Sequence, residues 1–569
     1  MADRYKIGVK VLELSATKEL PDSTNSIACS EDGKYLSLGH PRGLSVWCVC
    51  GLVWAAEWLK DRQEIIAVQM VSMSPEAYLI GTIDYMGVAR IFAYYSENIY
   101  LLNVINSADD VNRRKVCLTF ELSPSGNYAA TIIGCNADVW LEVYRLPTEA
   151  WTNQLENLSP GATPFRDPEI RNQESGEDEG GQKWSPTSAP TRIKPPKKRS
   201  RTRGSTTESS RDVGVVNFLT FCLSVDEDAG AQNLKMDMEP INPACEVTRR
   251  GTHHFLLPCG HFPGASKAYA QPECPVAVCL WWTGSRNLLH YYLQKSTKNK
   301  PDDEPDILWP NANEILCSTV SRCTRYVVLG LVNSLVCVWD RKTGSPLSVV
   351  SMTTVDSPFL RMRFMDYIPQ CPAPTDEVHI LVLCTSGLMH MVTTGRGAEP
   401  SISQAIESPE DAEDFPTLVQ PVPFLQSTLL VVQKNGTVLL QDVMKKTTLC
   451  YFDPPRPRVI ATPWNPVYAL NMKEPCLYIR GDQTFRSRVT SEEEVIGHLL
   501  VYNFKESELF KPYLITPPNS LPENPFSFAT LQEQCNLYLQ QRALGVEQRN
   551  KDIRQTWEEL LRRAAEGAL

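Results

Sequence analysis

The sequence predicts an all-β protein, a β-propeller of about eight blades, and three observations support this prediction. A turn that contains serine and leads into a tyrosine recurs at residues 30–36, 74–79, 123–129 and 321–327. Each copy is followed by a strand-like segment that ends in an aromatic residue: Trp47, Phe92, Tyr144 and Trp339 in turn. The copies also resemble one another at a spacing close to one propeller blade, and such self-similarity is typical of repeat architectures.

Eight segments have the composition of a blade's third strand, since each combines β-branched or aromatic residues with preceding turn residues. They are residues 43–47, 87–92, 139–144, 287–292, 334–340, 387–392, 436–442 and 497–502. One interval, between Tyr144 and Tyr292, is longer than one blade. Seven or nine blades therefore remain alternatives to eight.

The aromatic residues of the repeat are expected to pack between blades and not to bind a ligand. Tyr35, Tyr78, Tyr128 and Tyr326 are expected at equivalent places in their blades. The full blade-packing set is Tyr35, Trp47, Tyr78, Phe92, Tyr128, Tyr144, Tyr326, Trp339 and Asp340. Five tryptophans outside the repeat could mark a contact surface, although burial is the expected fate of each: Trp54, Trp58, Trp281, Trp282 and Trp309.

Composition divides the propeller into two parts, residues 1–157 and 213–514. Between them, residues 158–212 are rich in Pro, Ser, Gly and charge, with an acidic run at 174–180 and a basic run at 194–203. Such a segment cannot bury enough apolar surface to fold, which predicts a disordered insertion. The basic run is either a solvated charge run or a nuclear localisation signal.

A proline-rich spacer at residues 515–525 follows the propeller, and residues 526–569 have the pattern of amphipathic helices. In the last helix, one apolar stripe carries Ile553, Trp557, Leu560 and Leu561. The stripe is expected to bind a partner protein or to dock on the propeller's own face.

The net charge is −10, and no apolar run reaches the length of a membrane span. The N-terminal residues do not resemble a signal peptide, which predicts a cytoplasmic location. Most of the 18 cysteines lie within strand patterns and no Cys-x-x-Cys pair occurs. We therefore expect reduced core thiols, among them Cys29, Cys117, Cys222, Cys279, Cys337 and Cys384.

Motifs of catalysis are missing. The sequence contains no phosphate-binding glycine loop, no Gly-x-Ser-x-Gly elbow and no His-Glu-x-x-His. The best metal candidate, Cys245, His253, His254, Cys259, His261 and Cys274, lacks the paired spacing of a structural zinc site. The sequence therefore predicts a protein that is not an enzyme and has no cofactor, metal or small-molecule substrate.

Two segments carry a resemblance to a known family. The turn at Ser30 and the strand 335–344, which includes Trp339-Asp340, resemble a divergent WD-repeat propeller. With the start at 26–47, the basic insertion and the helical tail, the chain is similar to the WD repeat-containing protein 93 family. The aspartate of the Trp-Asp pair is absent elsewhere: Cys48 follows Trp47, and Arg145 follows Tyr144.

The resemblance implies a non-catalytic scaffold of the motile-cilium axoneme, at the C1 projection of the central apparatus. Its partners would be other proteins of that assembly, with no membrane and no specific nucleic acid. The alternatives are a nuclear or cytoplasmic WD-repeat adaptor and a protein associated with respiratory complex I. The chain has no redox motif or mitochondrial presequence in support of the last of these.

Overall fold

The structure, a computed structural model, describes most of residues 10–515. Its gaps are residues 22, 61–62, 107–114, 136–137, 159–183, 197–249, 259–273, 295–303, 353–356, 366–376, 396–397 and 487–492. Beyond residue 515 it describes Lys551, Arg554 and Glu558. The chain divides into two compact units, Met1–Leu514 and Ile515–Leu569.

Two short strands, β1 (Lys10–Leu12) and β2 (Ala16–Glu19), precede eight consecutive blades. Blades 1 and 2 consist of β3–β6 (Ser26–Cys29, Tyr35–His40, Gly43–Cys48, Val53–Leu59) and β7–β10 (Ile65–Ser72, Ala77–Asp84, Ala89–Tyr95, Asn98–Val104). Blades 3 and 4 consist of β11–β14 (Val116–Leu122, Tyr128–Cys135, Asp138–Arg145, Thr191–Ile193) and β15–β18 (Gly251–Leu256, Ala277–Trp282, Asn287–Tyr292, Ile307–Pro310). A single α-helix in this part of the described chain, α1 (Thr148–Glu156), lies between β13 and β14.

Blades 5 and 6 consist of β19–β22 (Ile315–Val320, Tyr326–Leu331, Leu335–Asp340, Ser345–Ser351) and β23–β26 (Phe359–Phe364, Glu377–Cys384, Met389–Gly395, Ala398–Ile406). Blade 7 consists of β27–β30 (Pro416–Pro421, Thr428–Gln433, Val438–Asp442, Thr447–Phe452). Blade 8 contains β31–β34 (Val459–Ile460, Tyr468–Asn471, Cys476–Arg486, Glu493–Asn503). Short 3-10 helices occur at Ala412–Asp414 and Glu508–Phe510.

The predicted β-propeller is confirmed, with eight blades among the described residues. In blades 1 to 7, consecutive strands pair antiparallel in chain order from the centre outward. In blade 8, β31 and β32 both pair with β33, and β33 pairs with β34. The first strands lie together around a central channel: β3 contacts β7 and β32, and β19 contacts β23. Each of the eight predicted third strands is the third strand of its blade.

The recurring serine shapes the turn between the first and second strands. In blade 3, Ser123 Oγ accepts a hydrogen bond of 3.0 Å from Tyr128 N. Ser123 O accepts another, of 2.8 Å, from Gly126 N, and Gly126 has φ of +71°. A glycine adopts this conformation without the steric cost that a Cβ imposes. The same serine-to-tyrosine bond occurs in blades 1 and 5, between Ser30 and Tyr35 and between Ser321 and Tyr326.

The core consists of eight hydrophobic clusters, one between each pair of neighbouring blades. Leu38 of blade 1, for example, packs in one cluster with Leu499 of blade 8, and both side chains are fully buried. Burial of apolar surface stabilises such interfaces by roughly 25 cal/mol per Å². Each blade therefore depends on both of its neighbours.

The N-terminal segment closes the ring. β2 pairs antiparallel with β34 and supplies the fourth strand of blade 8. β1 then adds a fifth strand to blade 7 and runs parallel to β30, with Leu12 buried. Side chains also cross the junction of blades 8 and 1, since Arg480 Nη1 donates to Thr24 O at 2.8 Å and Asn471 Nδ2 donates to Gly33 O at 3.1 Å.

One stretch of the predicted disordered insertion, 158–212, is ordered, which corrects that prediction in part. Residues 184–196 contain β14, which is the fourth strand of blade 3 and pairs with β13. Arg192 on β14 reaches the buried Glu142 on β13, with Nη2 2.7 Å from Oε1. The strand forms because its partners exist, although its own composition favours a loop. Residues 159–183 and 197–212 lie outside the described residues.

The two ends of the propeller carry different loops. Because strands alternate in direction, the first-to-second and third-to-fourth strand connections share one end of the propeller, which we call the turn face. The second-to-third strand connections and the connections between blades lie at the other end, which we call the opposite face. Leu158 and Trp184, which flank the segment with the acidic run, lie at the turn face. Pro196, which the rest of the basic run follows, lies beyond the end of β14 at the opposite face. The described residues that flank these two gaps, Leu158 with Trp184 and Pro196, therefore lie at opposite ends of blade 3.

Within the described ranges, no helix has the length and apolarity that a membrane crossing requires. The tail stripe of Ile553, Trp557, Leu560 and Leu561 lies outside the described residues. Lys551, Arg554 and Glu558 beside it are helical and exposed.

Closure by β2 should contribute measurably to stability. Leu20, which follows β2, is 5% exposed and packs between blades 8 and 1. We expect Leu20→Ala to lower the free energy of unfolding by about 2–5 kcal/mol, because it leaves a cavity at the junction. Val11→Ala in β1 is the matched control: Val11 is 43% exposed, so a change under about 0.5 kcal/mol is expected. Denaturant unfolding of both variants is the measurement. Equal losses of unfolding free energy in the two variants would contradict the closing role of β2.

Candidate interaction faces and central channel

The tyrosines of the repeat lie within the interfaces between blades. Tyr35 of blade 1 makes edge contacts with Tyr78 and Tyr94 of blade 2, with ring centroids 5.2 and 4.9 Å apart. Tyr128 packs between blades 3 and 4, and Tyr326 packs between blades 5 and 6. These three tyrosines each begin the second strand and face the following blade.

Tyr78 is not at the equivalent place, which corrects the sequence-based expectation. It is the second residue of β8, one position later than the other three tyrosines. Because alternate residues of a strand face opposite sides, Tyr78 faces the preceding blade. Its hydroxyl donates a hydrogen bond of 2.7 Å to Asp32 Oδ2 in the serine turn of blade 1.

The other residues of the blade-packing set are also buried. Trp47, Phe92 and Tyr144 lie in the clusters between blades 8 and 1, 1 and 2, and 2 and 3, respectively. Trp339 stacks on Trp309 of blade 4, with ring centroids 5.2 Å apart. Asp340 is 1% exposed and pairs with Arg325 at 3.3 Å.

The tryptophans outside the repeat differ in exposure. Trp281, Trp282 and Trp309 are buried, whereas Trp54 on the outer strand β6 is 54% exposed. Trp58 packs on Phe92, with ring centroids 4.9 Å apart.

The sequence reasoning missed Trp464, which is 51% exposed. It lies in the segment that separates β31 from β32, the two pieces of blade 8's inner edge. The sequence did contain a signal for this exposed loop: Pro463 and Pro466 stand on either side of Trp464, and prolines interrupt a strand.

Four exposed apolar residues lie near the beginnings of inner strands at the opposite face. In blades 2, 3, 5 and 6 the first strand contains a β-bulge near its start. The extra residue of each bulge is at least 36% exposed, and these residues form what we call the apolar ring: Ile66, Leu118, Leu316 and Leu360. Because the inner strands line the channel and begin at the opposite face, these four residues lie near that mouth of the channel.

At the turn face, the channel opens into two adjoining depressions. One has a volume of about 630 Å³ and lies among the inner strands of blades 5 to 8 and 1. The other, about 470 Å³, lies among blades 1 to 3 and is lined by Glu31 and Glu121. Burial raises the pKa of Glu31, and this effect outweighs the opposing influence of Arg322 and Lys473.

The histidines of the metal candidate contact different partners. His253 Nε2 lies 3.1 Å from Glu121 Oε2, whereas His254 Nε2 lies 2.8 Å from Ser318 Oγ. Burial lowers the pKa of His254 to about 4, so this ring is neutral at pH 7. The described part of the chain holds no cluster of three side chains suited to a metal ion. Cys245, Cys259 and His261 lie outside the described residues.

Several cysteines of the strand patterns have free, buried thiols: Cys117, Cys279, Cys337 and Cys384. Burial raises the pKa of Cys279 to about 12, so the thiol stays protonated and unreactive at pH 7. Burial likewise raises the pKa of Cys29, a half-buried residue that lines both depressions, to about 12. Cys222 lies outside the described residues.

The sequence profile of the WD repeat-containing protein 93 family matches residues 24–336. The chain belongs to this family. The matched region extends from the start of blade 1 to the beginning of the third strand of blade 5, so the resemblance to this family is confirmed. WD-repeat propellers are generally non-catalytic platforms for protein–protein interaction.

Three solved structures of low sequence identity match the chain over most of its length. The computationally designed Ika8 protein is 11% identical, with 87% of this chain and 99% of that chain covered and a TM-score of 0.42. Chaetomium thermophilum Sqt1, bound to the N-terminus of the ribosomal protein L10, is 11% identical, with 86% and 100% covered and a TM-score of 0.42. Chaetomium thermophilum Raptor is 9% identical, with 87% and 29% covered and a TM-score of 0.37.

The turn of blade 1 should make stability depend on pH through Asp32. Burial opposes ionisation of this carboxylate, but hydrogen bonds from Tyr78, Ser30 and Lys34 outweigh it and lower the pKa of Asp32. A lowered pKa means that folding favours the ionised form. The stabilisation is therefore present above the unfolded-state pKa of about 4 and is lost as the pH falls through the folded-state pKa.

Asp32→Asn should reduce the free energy of unfolding by about 1–3 kcal/mol at pH 7, with the difference shrinking below about pH 4. Glu76→Gln, at an exposed position in the corresponding turn of blade 2, is the control with the same chemical change. Urea unfolding as a function of pH measures both variants. A loss at Asp32→Asn that is the same at pH 3 and pH 7 would argue against this mechanism.

Proposed function

We propose that this chain is a non-catalytic scaffold of the motile-cilium axoneme, located at the C1 projection of the central apparatus. Its partners are other proteins of that assembly, and it binds them through the ends of the propeller. Membership of the WD repeat-containing protein 93 family supports the ciliary assignment, because the resemblance implies that location.

The apolar ring is the observation that carries the scaffold role. Side chains such as Leu316 and Leu360 are 42% and 40% exposed although they lie on inner strands, where the other residues are buried or half-buried. Exposed apolar groups gathered at one place mark interaction sites on soluble proteins. Tyr85 and Met86, in the blade 2 loop at the same face, are 61% and 46% exposed and extend this surface.

The ring residues lie outside the regular pairing between strands. Each ring residue is the extra residue of a bulge and takes no place in the strand register. Each of these side chains is at least 36% exposed, and we attribute their shared apolar character to contact with a partner.

The test compares two double variants of the tagged full chain in ciliated cells. Leu316→Glu with Leu360→Glu places two charges in the ring, and we expect axonemal incorporation to fall by about tenfold or more, since a buried unpaired charge opposes binding. Val349→Glu with Ile402→Glu alters exposed residues on the outer strands of the same two blades and should leave incorporation unchanged.

Fluorescence microscopy and fractionation of isolated axonemes give the readout. Diffuse nuclear or mitochondrial signal of the unmodified chain would contradict the axonemal assignment. Equal incorporation of both double variants would contradict the use of the apolar ring.

A further inference from the structure

The depression of about 630 Å³ at the turn face has a size typical of a ligand site. It is bounded by the ends of the inner strands of five blades. Its polar lining comes from four blades: Thr319, Arg322, Arg363, Gln420 and Tyr468.

The charged side chains that line this depression are all positive. Arg322 and Arg363 line it, and the described residues contribute no carboxylate to its wall. The acidic residues near this mouth, Glu31 and Glu121, line the neighbouring depression on blades 1 to 3. Arg322 lies close enough to Glu31 to act on its ionisation, so this cation has an acidic neighbour.

No carboxylate is among the described groups that influence the pKa of Arg363. Its one hydrogen bond described here is from Nη1 to the carbonyl of the preceding residue, Met362, at 3.3 Å. Its Nε is buried without a hydrogen-bond partner in the described structure. Burial lowers the pKa of Arg363, and the positive charge of Arg361, two residues away on β23, lowers it further.

A half-buried guanidinium without a counterion is costly, and protein structures nearly always pair such a group. Tyr468 does not supply the missing charge, since burial raises the pKa of its hydroxyl and keeps it neutral. An anion that enters the channel mouth would find the guanidinium of Arg363 together with the Thr319 hydroxyl, the Gln420 amide and the Tyr468 hydroxyl.

We propose that this depression is a carboxylate-binding site for an aspartate- or glutamate-rich segment of a protein partner. A guanidinium matches a carboxylate through two parallel hydrogen bonds. The rest of the lining favours a peptide over a free ion, because Ile27, Pro421, Pro423 and Leu470 offer apolar surface to the segment's backbone and side-chain stems. The site extends the proposed scaffold role to a second face, opposite to the apolar ring.

Purified full-length chain is titrated with a synthetic poly-glutamate peptide, and binding is measured by calorimetry. Arg363→Gln should weaken binding by roughly 10- to 100-fold, the loss expected for a charge-assisted hydrogen-bonded pair. Arg42→Gln is the matched control, since Arg42 is an exposed arginine in a loop at the opposite face. It should bind the peptide as the unmodified chain does.

Thermal unfolding without peptide separates a binding role from a structural one. Arg363→Gln should melt at the same temperature as the unmodified chain or above it, because no described counterion is lost. A marked fall in melting temperature would make Arg363 a structural residue and overturn the proposal. Equal peptide affinity of Arg363→Gln and Arg42→Gln, or no binding by the unmodified chain, would also overturn it.

Inorganic phosphate is the second probe. Binding as tight as that of the peptide would identify a free-anion site and refute the peptide assignment. All of these measurements use the purified chain alone, so failure of this site leaves the ciliary proposal standing, and failure of axonemal incorporation leaves this site standing.

Discussion

The fold depends on closing the ring between its last and first blades. Each blade has two apolar flat sides, and both are covered only if every blade has two neighbours. The closing contacts join residues more than 400 positions apart, such as Arg480 with Thr24 and Asn471 with Gly33. Gly33 is also sterically required, since a Cβ there would lie 2.4 Å from the Asn471 side chain and φ is +73°. An open ring would expose one apolar side of blade 8 and one of blade 1, so cooperative stability of the whole propeller follows from this junction.

Closure also determines where function can lie. The clusters between blades bury the aromatic residues of the repeat, and the serine turns hold the strands that carry them. A side chain in these clusters cannot reach a partner without loss of the packing that supports the fold. The groups that remain available lie at the two ends of the channel and on the outer strands. This explains why the residues that reveal the fold, such as Tyr128 and Trp339, are not those that would bind a partner.

The repeat and the eight third strands were predictable from the sequence because local chemistry determines them. A β-branched run such as 334–340 forms a strand wherever a sheet is offered, and a Ser-x-x-Gly turn stabilises itself. Other features of the structure depend on contacts with residues far away in the sequence. β14 lies in a segment rich in proline and lysine and forms only because β13 offers an edge. β2 is a polar strand near the N-terminal end of the propeller sequence, and it pairs with β34 near the C-terminal end of that sequence. The bulges that expose Leu316 and Leu360 follow from the register between strands, and the isolation of Arg363 follows from which blades meet around the channel.

The two mouths of the channel therefore differ in chemistry although they are built from the same strands. At the opposite face, the bulges turn aliphatic side chains outward at the beginnings of the inner strands. At the turn face, the ends of the same strands carry Arg363 and neighbouring polar groups. An apolar ring favours a desolvated hydrophobic contact, whereas a half-buried guanidinium favours an acidic one, so one partner surface cannot satisfy both. A rigid platform with two such ends can hold two different partners at a fixed separation, and a scaffold requires that property more than it requires high affinity for either partner.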